Sequence, residues 1–253
     1  MPLRPHQTDA LDAMANHTKG QIIVPTGGGK TMCMIDDAKR LFNTQEFATI
    51  VVVAPRILLA EQLSSEFLEE IDDVDVMHVH SGETPHFSST KKDEIEDWWI
   101  GSEFCHKIIF TTYHSLHRIQ NSLISVDTIY FDEAHNSVNR NFFPATKFYG
   151  TRGASRCFFF TATPKHSLTP FKAGMNNTEV YGNVLINVPA PKLVKEGYIL
   201  PPKVEVYKSR LLRKDEIYSE VESEQMIGAI DKLEVDKVLI CAKSTKQIIG
   251  LLS

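Results

Sequence analysis

The stretch Pro25-Thr26-Gly27-Gly28-Gly29-Lys30-Thr31 constrains the fold more than any other part of the sequence. It follows a short apolar run and opens an amphipathic stretch, which is the strand-to-helix context of a phosphate-binding loop. Glycines let the backbone close around phosphate oxygens, and a helix N-terminus adds partial positive charge. Lys30 could reach the β- and γ-phosphates, and the Thr31 hydroxyl could ligate Mg²⁺. The alternative is a glycine-rich turn before a helix, and Val24 stands where such loops usually have their first glycine.

Short apolar runs alternate with longer amphipathic stretches as far as Thr163. The apolar runs predict strands at 21–24, 49–54, 77–80, 108–112, 128–131 and 157–161. The stretches between them predict helices at 31–42, 57–71, 91–100 and 116–122. Continuous apolar strands separated by helices are typical of a parallel sheet that is covered by helices on both faces. The sequence therefore predicts an α/β fold.

Composition and charge exclude several classes of protein. The chain has 253 residues, of which 42% are hydrophobic and 23% charged, so neither a disordered nor a collagen-like chain is expected. A net charge of −5 argues against a protein that coats nucleic acid, but it leaves room for a local basic groove. The four cysteines are far apart, which favours buried reduced thiols over a zinc ribbon or a disulfide scaffold. No signal peptide or membrane-spanning segment is visible, so an intracellular protein, cytoplasmic or nucleoid-associated, is expected.

A second chemical signal, Asp132-Glu133-Ala134-His135, directly follows the predicted strand at 128–131. Carboxylates at the carboxyl end of a buried parallel strand lie where such sheets bind ligands. Asp132 could hold Mg²⁺ and Glu133 could polarise a water molecule that attacks the γ-phosphate. A pair of carboxylates in a solvated loop is the alternative, and the phosphate loop upstream argues against it.

These segments, together with several others, resemble the superfamily 2 helicases and translocases with a DEAH-type box, near the type III restriction-subunit and DNA-repair branch. The matching segments occur in the family's order and span essentially the whole chain. They are Leu3-Arg4-Pro5-His6-Gln7, the loop at 25–31, Ala54-Pro55-Arg56, Leu59-Ala60-Glu61-Gln62, Thr111-Thr112-Tyr113, Asp132–His135, Thr161-Ala162-Thr163-Pro164, Tyr181-Gly182 and the stretch at 196–201. The resemblance implies a RecA-like parallel sheet that uses ATP and Mg²⁺, and in this family a small aliphatic residue often replaces the first loop glycine.

The resemblance also implies a role for each matching residue. Gln7, with Arg4 nearby, would bind the adenine edge, and residues 25–31 would bind the triphosphate. Lys30, Asp132 and Glu133 would be catalytic, with Thr31 and Asp132 at the metal. His135, Thr161 and Thr163 would couple nucleotide state to motion between lobes. The residues near a nucleic-acid backbone would be Pro55, Arg56, Thr112 and Tyr113.

The resemblance further implies a second RecA-like lobe, which would supply an arginine finger from a QxxGRxxR-type motif. The nine arginines end at Arg213, and no such motif occurs in the sequence. We therefore expect lobe 1 at 1–200, a hinge or linker at 201–234 and a truncated first βα unit of lobe 2 at 235–253. Within the last two segments, strands are predicted at 203–207 and 238–242 and a helix at 217–233. The rest of lobe 2 is expected in cis beyond residue 253, and lobe 1 alone should bind ATP but hydrolyse it poorly.

The predicted function is that of an ATP-dependent helicase or translocase acting on DNA, with RNA as a possible partner. Two alternatives remain at this stage. One is a stand-alone nucleotide-binding module without efficient hydrolysis, and the other is the motor subunit of a restriction or remodelling complex. His78 and His80 lie on one face of a predicted strand, where a metal is conceivable. No nearby Cys or carboxylate cluster in the sequence supports a metal, so core or surface histidines are the preferred interpretation.

Overall fold

A computed structural model describes residues 2–101, 104–169, 171–201 and 218–233 of the chain. The chain divides into two compact units, Met1–Pro201 and Pro202–Ser253. The strands, all in the first unit, are β1 (Lys19–Ile23), β2 (Ala48–Ala54), β3 (Asp75–Val79), β4 (Phe87–Ser88), β5 (His106–Thr112), β6 (Thr128–Phe131), β7 (Arg156–Thr161) and β8 (Val184–Asn187). They form one sheet in the order β4-β3-β5-β2-β6-β7-β1-β8, with every neighbouring pair parallel. The predicted parallel α/β sheet is thereby confirmed.

Helices connect the strands. They are α1 (Pro5–Ala15), α2 (Lys30–Thr44), α3 (Ile57–Leu68), α4 (Lys92–Gly101), α5 (Leu116–Gln120), α6 (Phe143–Phe148), α7 (Thr178–Tyr181) and α8 (Ala190–Lys195) in the first unit, and α9 (Tyr218–Leu233) in the second. A 3-10 turn, Ala134–Asn136, and a π-helical turn, Tyr149–Gly153, complete the first unit. No helix within the described ranges combines the length and the apolar character needed to cross a bilayer.

The sheet has a hydrophobic core on each face, and β2 shows why. Its residues are all buried, and successive side chains alternate between the two faces. Ile50 and Val52 belong to one core, while Val51 and Val53 belong to the other. A strand that must be apolar on both faces gives an unbroken apolar run, which is why β2 could be predicted.

The strands and helices predicted up to residue 161 are present, with ends shifted by a few residues. Most of the elements that were not predicted are short or lie at the margin of the sheet, and the 11-residue α1 is the exception. β8 pairs only with β1 among the described strands, and two of its four residues are exposed, so its sequence lacks the apolar run of a central strand. α1 has a weak apolar stripe but begins with Pro5 in its first turn, a recognised start signal.

The later predictions fall largely outside the described residues. The strands predicted at 203–207 and 238–242, and the βα unit at 235–253, lie there entirely. The helix predicted at 217–233 is present as α9. The domain boundaries at 200 and 234 stay predictions.

A buried ion pair ties α2 to the sheet. Arg156, at the start of β7, donates to the two carboxylate oxygens of Asp37 at 2.8 and 2.9 Å, and the Tyr130 hydroxyl donates to the same carboxylate at 2.6 Å. Asp37 is 3% exposed. Burial raises the pKa of Tyr130 well above its usual value, so this hydroxyl remains a donor at neutral pH.

We expect Asp37→Ala to lower the free energy of unfolding by about 3 kcal/mol, because it leaves the Arg156 charge without its partner. Urea denaturation would measure the loss. Asp12→Ala is the matched control, since Asp12 forms only an exposed, 3.7 Å pair with Arg40 and should change stability by less than about 1 kcal/mol. Equal stability of the two variants would contradict the structural role of Asp37.

Candidate functional site

Neighbouring strands β6, β7 and β1 end at the same edge of the sheet and bring predicted site residues together. Asp132 follows β6, Thr161 ends β7, and Val24 follows β1 into the loop at 25–31. The N–H of Val24 donates to the Thr161 carbonyl at 3.0 Å, and the N–H of Asp132 donates to the Val53 carbonyl at 2.9 Å. The strand ends are therefore held side by side, at the edge where parallel sheets bind ligands.

The loop at 25–31 has the backbone that its glycines permit. Gly27 and Gly29 have φ angles of 75° and 83°, in the left-handed region that disfavours residues with a Cβ. The N–H of Gly28 donates to the Pro25 carbonyl at 3.0 Å and closes the turn. A Cβ at Gly28 would overlap the side chain of Val24, so the loop at this point is too tight for any other residue.

The loop leads directly into α2. Thr26 and Gly27 are exposed at its tip, whereas Lys30 and Thr31 occupy the first turn of the helix and are partly buried. Gly29 is the residue that precedes the helix. The unpaired N–H groups of a helix's first turn attract anions, so the loop has the polarity that a phosphate group needs.

Three side chains of the N-terminal segment hold three successive carbonyl oxygens of the loop. Arg4 Nη1 donates to the Gly27 oxygen at 3.0 Å, and Gln7 Nε2 donates to the Gly29 oxygen at 3.1 Å. Between them, His6 Nε2 lies 2.7 Å from the oxygen of Gly28. These three contacts attach the loop to the N-terminal segment and occupy the carbonyl groups of Gly27, Gly28 and Gly29.

The sequence analysis missed His6 and Tyr198 as parts of this arrangement. The Tyr198 ring lies 5.1 Å from the Arg4 guanidinium and 5.8 Å from the His6 ring. Both residues lie in segments that resemble the family's motifs, and that resemblance was the signal that could have identified them. Gln7 is 4% exposed, and its side-chain oxygen accepts from the Arg4 N–H at 2.8 Å. Both ends of the Gln7 amide are thus engaged within the protein, and its contact with adenine stays a prediction.

Opposite the loop lie the two acidic residues that follow β6. Lys30 Nζ is 3.5 Å from Glu133 Oε1, which joins the phosphate loop to the acidic pair. Burial, and next the Glu133 charge, raise the pKa of Asp132 to about 6, while Lys30 acts in the opposite direction. Glu133 has φ 42° and ψ 52°, a left-handed conformation that costs a non-glycine residue about 1–2 kcal/mol. Such local strain is often found at functional sites.

His135 links the acidic pair to the end of β7. Its Nδ1 lies 3.0 Å from Thr161 Oγ1, 3.5 Å from Thr163 Oγ1 and 3.4 Å from Glu133 Oε2. The Thr163 N–H in turn donates to Thr161 Oγ1 at 3.1 Å. The Thr161 main-chain carbonyl accepts the Val24 N–H, so Thr161 connects the start of the loop to His135, which lies 3.4 Å from Glu133.

The residues predicted to lie near nucleic acid are found at the ends of the adjacent strands β2 and β5. Arg56 is exposed at the start of α3 and Pro55 is partly exposed. Thr112 and Tyr113 are buried, and the Tyr113 hydroxyl donates to the Asp132 carbonyl at 2.7 Å. The exposed Arg56 side chain is accessible to a ligand, whereas the buried Tyr113 joins the end of β5 to Asp132. Their role in nucleic-acid binding stays a prediction.

The donor set fits a nucleotide with Mg²⁺. Mg²⁺ prefers hard oxygen ligands, which the Asp132 carboxylate and the Thr31 hydroxyl provide. Burial raises the pKa of Asp132, and a bound cation would favour its ionised form. Lys30 and the start of α2 provide positive charge for a phosphate group.

Comparison with known proteins supports the same fold and family. Residues 1–166 match the family described as type III restriction enzyme, res subunit. A nuclease-deletion mutant of the Type ISP restriction-modification enzyme LlaGI, in complex with a DNA substrate mimic, has a TM-score of 0.63 at 19% identity; the match covers 93% of this chain and 23% of that one. The ATP-dependent Type ISP enzyme LlaBIII, bound to DNA, has a TM-score of 0.64 at 18% identity and a match over 78% and 16% of the two chains.

The UvsW helicase from bacteriophage T4 has a TM-score of 0.51 at 14% identity, over 73% of this chain and 60% of that one. A search of curated proteins gave no match. At these identities the structural likeness shows the fold alone, which is the RecA-like sheet expected from the motifs. The chain spans less than a quarter of the length of the two restriction enzymes. Since the family match covers well over half of the chain, the chain belongs to the type III restriction enzyme res subunit family, among the superfamily 2 helicases.

Proposed function

We propose that this chain is the ATP-binding lobe of a motor that hydrolyses ATP as it acts on DNA. The observation that carries the proposal is the approach of Lys30 to Glu133, 3.5 Å apart, where the phosphate loop meets the acidic pair. Residues 25–31 would bind the triphosphate, and Thr31 and Asp132 would hold Mg²⁺. The metal would supply charge neutralisation on the phosphate oxygens.

The chain's own residues would do the remaining work of hydrolysis. Lys30 would bind the β- and γ-phosphates. Glu133 would orient the attacking water molecule and accept a proton from it at the carboxylate. Without the metal, the Lys30 ammonium group already lies beside this carboxylate, so the entering phosphate would compete with Glu133 for Lys30. The competition would leave the carboxylate free to act on water.

The hydrogen bonds around His135 support a coupling role. A change at the γ-phosphate that moves Glu133 would disturb His135, and through it Thr161 and Thr163. On the other side, Arg4, His6 and Gln7 hold the loop carbonyl groups, so a nucleotide that reshapes the loop would also move α1. One route leads from the phosphate loop to the residues after β7, and the other leads to α1.

DNA is the proposed polymer because the two restriction enzymes with this fold were solved with DNA or a DNA mimic. Arg56, together with the backbone at the ends of β2 and β5, would contact phosphate groups, which gives binding independent of sequence. A second RecA-like lobe, proposed to follow in cis beyond residue 253, would supply the arginine finger. The family match favours a motor that serves a restriction complex over a free helicase.

ATP hydrolysis by the full-length protein tests the proposal. We expect double-stranded DNA to stimulate steady-state hydrolysis by about tenfold or more, since DNA binding would favour the closed, two-lobed site. Single-stranded DNA and RNA of matched length, added separately, would identify the preferred polymer. Nucleotide binding without stimulation by any polynucleotide would contradict a motor and support a nucleotide-binding module instead.

A further inference from the structure

A second cluster of polar side chains lies at the carboxyl end of β3, away from the nucleotide site. His78 is in β3, His80 follows it, and Glu61 reaches them from α3. In the sheet, β3 is separated from β1 by β5, β2, β6 and β7. The two histidines are almost fully buried, whereas the Glu61 side chain is 25% exposed and therefore reaches solvent.

One atom from each side chain points to a common centre. His78 Nδ1 is 3.0 Å from His80 Nε2 and 3.0 Å from Glu61 Oε1, and the latter two atoms are 3.2 Å apart. Tetrahedral Zn²⁺ with bonds of about 2.0–2.1 Å to nitrogen and oxygen has ligand atoms about 3.3 Å apart. The triangle therefore has nearly the dimensions of one face of such a site.

Electrostatics favours a cation at the centre. Among the described residues, Glu61 Oε1 is a buried oxygen without a hydrogen bond of acceptable geometry, despite its closeness to both rings. A single proton on His80 Nε2 serves one of its two neighbouring acceptors, whereas a metal ion at the centre would bind all three atoms. Both rings are buried, and burial disfavours the charged form of imidazole. Neutral imidazole is the form that binds a metal.

A set of surrounding groups orients two of the three side chains. Ser64 Oγ lies 3.0 Å from His78 Nε2 and can accept its proton, which turns the Nδ1 lone pair to the centre. The Thr84 hydroxyl donates to Glu61 Oε2 at 3.1 Å and leaves Oε1 for the centre. Partners of this kind hold metal ligands in place in known sites.

His80 has to change its tautomer to take part. The Gly82 N–H donates to His80 Nδ1 at 3.2 Å, which places the ring proton on Nε2 in the metal-free state. Binding through Nε2 moves that proton to Nδ1 and breaks the contact with Gly82. Metal binding is thus expected to shift the loop that follows β3.

We propose that Glu61, His78 and His80 form a binding site for a divalent transition-metal ion of the Zn²⁺ type. Two nitrogens and one carboxylate oxygen favour Zn²⁺ over Mg²⁺ or Ca²⁺, which prefer all-oxygen sites. A water molecule would complete four-coordination on the side that Glu61 leaves open. The bound ion would cross-link the end of β3 to α3, the helix that begins directly after Arg56.

Metal titration of the untagged protein, freed of metal and nucleotide, tests the site. We expect one Zn²⁺ per chain by competition with a chromophoric chelator, and Co²⁺ to give the visible absorption of a tetrahedral site that Zn²⁺ then removes. Glu61→Gln, which keeps the side chain's size, and His80→Ala should each weaken Zn²⁺ binding. The loss of Zn²⁺ affinity should exceed the roughly 10- to 100-fold loss that follows removal of a residue that only hydrogen-bonds to a metal ligand. Ser64→Ala should fall within that smaller range.

His17→Ala is the matched control, because His17 is an exposed histidine outside the cluster and its removal should leave Zn²⁺ affinity unchanged. Circular dichroism would confirm that each variant is folded before titration. Failure of the wild-type protein to bind Zn²⁺, or equal binding by folded Glu61→Gln, His80→Ala and wild-type proteins, would overturn the proposal. Neither result would bear on the nucleotide site, which is tested by variants of Lys30 and Glu133.

Discussion

Replacing Lys30 with alanine is expected to weaken Mg-ATP binding by about 100-fold, equivalent to about 3 kcal/mol. Two effects combine in this loss. The phosphate groups lose a charge-assisted hydrogen-bond donor that is only 10% exposed, and the acidic pair loses its neighbouring cation. Because Lys30 lowers the pKa of Asp132, its removal also raises that pKa further and weakens the carboxylate as a metal ligand. Isothermal titration with a slowly hydrolysed ATP analogue would measure the change.

Lys39→Ala is the matched control for Lys30. Lys39 belongs to the same helix, but its ammonium group pairs with Glu70 at the surface, at 2.6 Å. Its loss should leave nucleotide affinity within about twofold, since exposed pairs contribute little. If the two lysine variants bind Mg-ATP equally well, the phosphate-loop assignment is wrong.

The parts of the fold that could be predicted are those whose cause is local in the sequence. β2 is almost entirely apolar because both of its faces are covered, and Gly27 and Gly29 are required by the backbone angles at those same residues. The start of α2 could be placed because the loop ends there. β8 was missed because an edge strand with exposed residues has no such local requirement.

Other parts of the site depend on approaches between distant segments. His6 meets Gly28 across 22 residues of sequence, and nothing in the local pattern distinguishes it from a surface histidine. Glu61 likewise comes close to His78 and His80 only in the folded chain, because α3 packs on β5, the strand next to β3. The sequence-based interpretation of core or surface histidines left their burial open; both side chains are buried, and the carboxylate beside them could be found only in the folded chain.

Tyr113 shows a third limit of sequence reasoning. Its position after β5 was predicted correctly, but an aromatic residue at a strand end can turn either outward or into the core. Here the side chain packs between Phe131 and Phe142 and its hydroxyl reaches the Asp132 carbonyl. Burial of this large ring depends on side chains from distant parts of the sequence, which a motif does not specify.

Glu133→Gln should keep Mg-ATP binding within a fewfold of wild type while lowering the rate of hydrolysis by about 10²–10⁴. Glutamine has nearly the same shape and accepts the same left-handed backbone, so the loop after β6 should be preserved. An amide cannot accept the proton of the attacking water, and that is the step assigned to Glu133. Single-turnover hydrolysis by the full-length protein with DNA, measured beside nucleotide affinity, separates the two effects.

Glu66→Gln is the control that isolates the role of Glu133. Glu66 is another carboxylate whose charge raises the pKa of Asp132, but Gln62 Nε2 donates to it at 2.7 Å and it does not border Lys30. Its neutralisation tests whether any loss of nearby negative charge slows the reaction. Hydrolysis should therefore be nearly unchanged in Glu66→Gln and strongly reduced in Glu133→Gln. Undiminished hydrolysis in Glu133→Gln would remove Glu133 from the catalytic role, whereas equal losses in both variants would assign the effect to charge around Asp132.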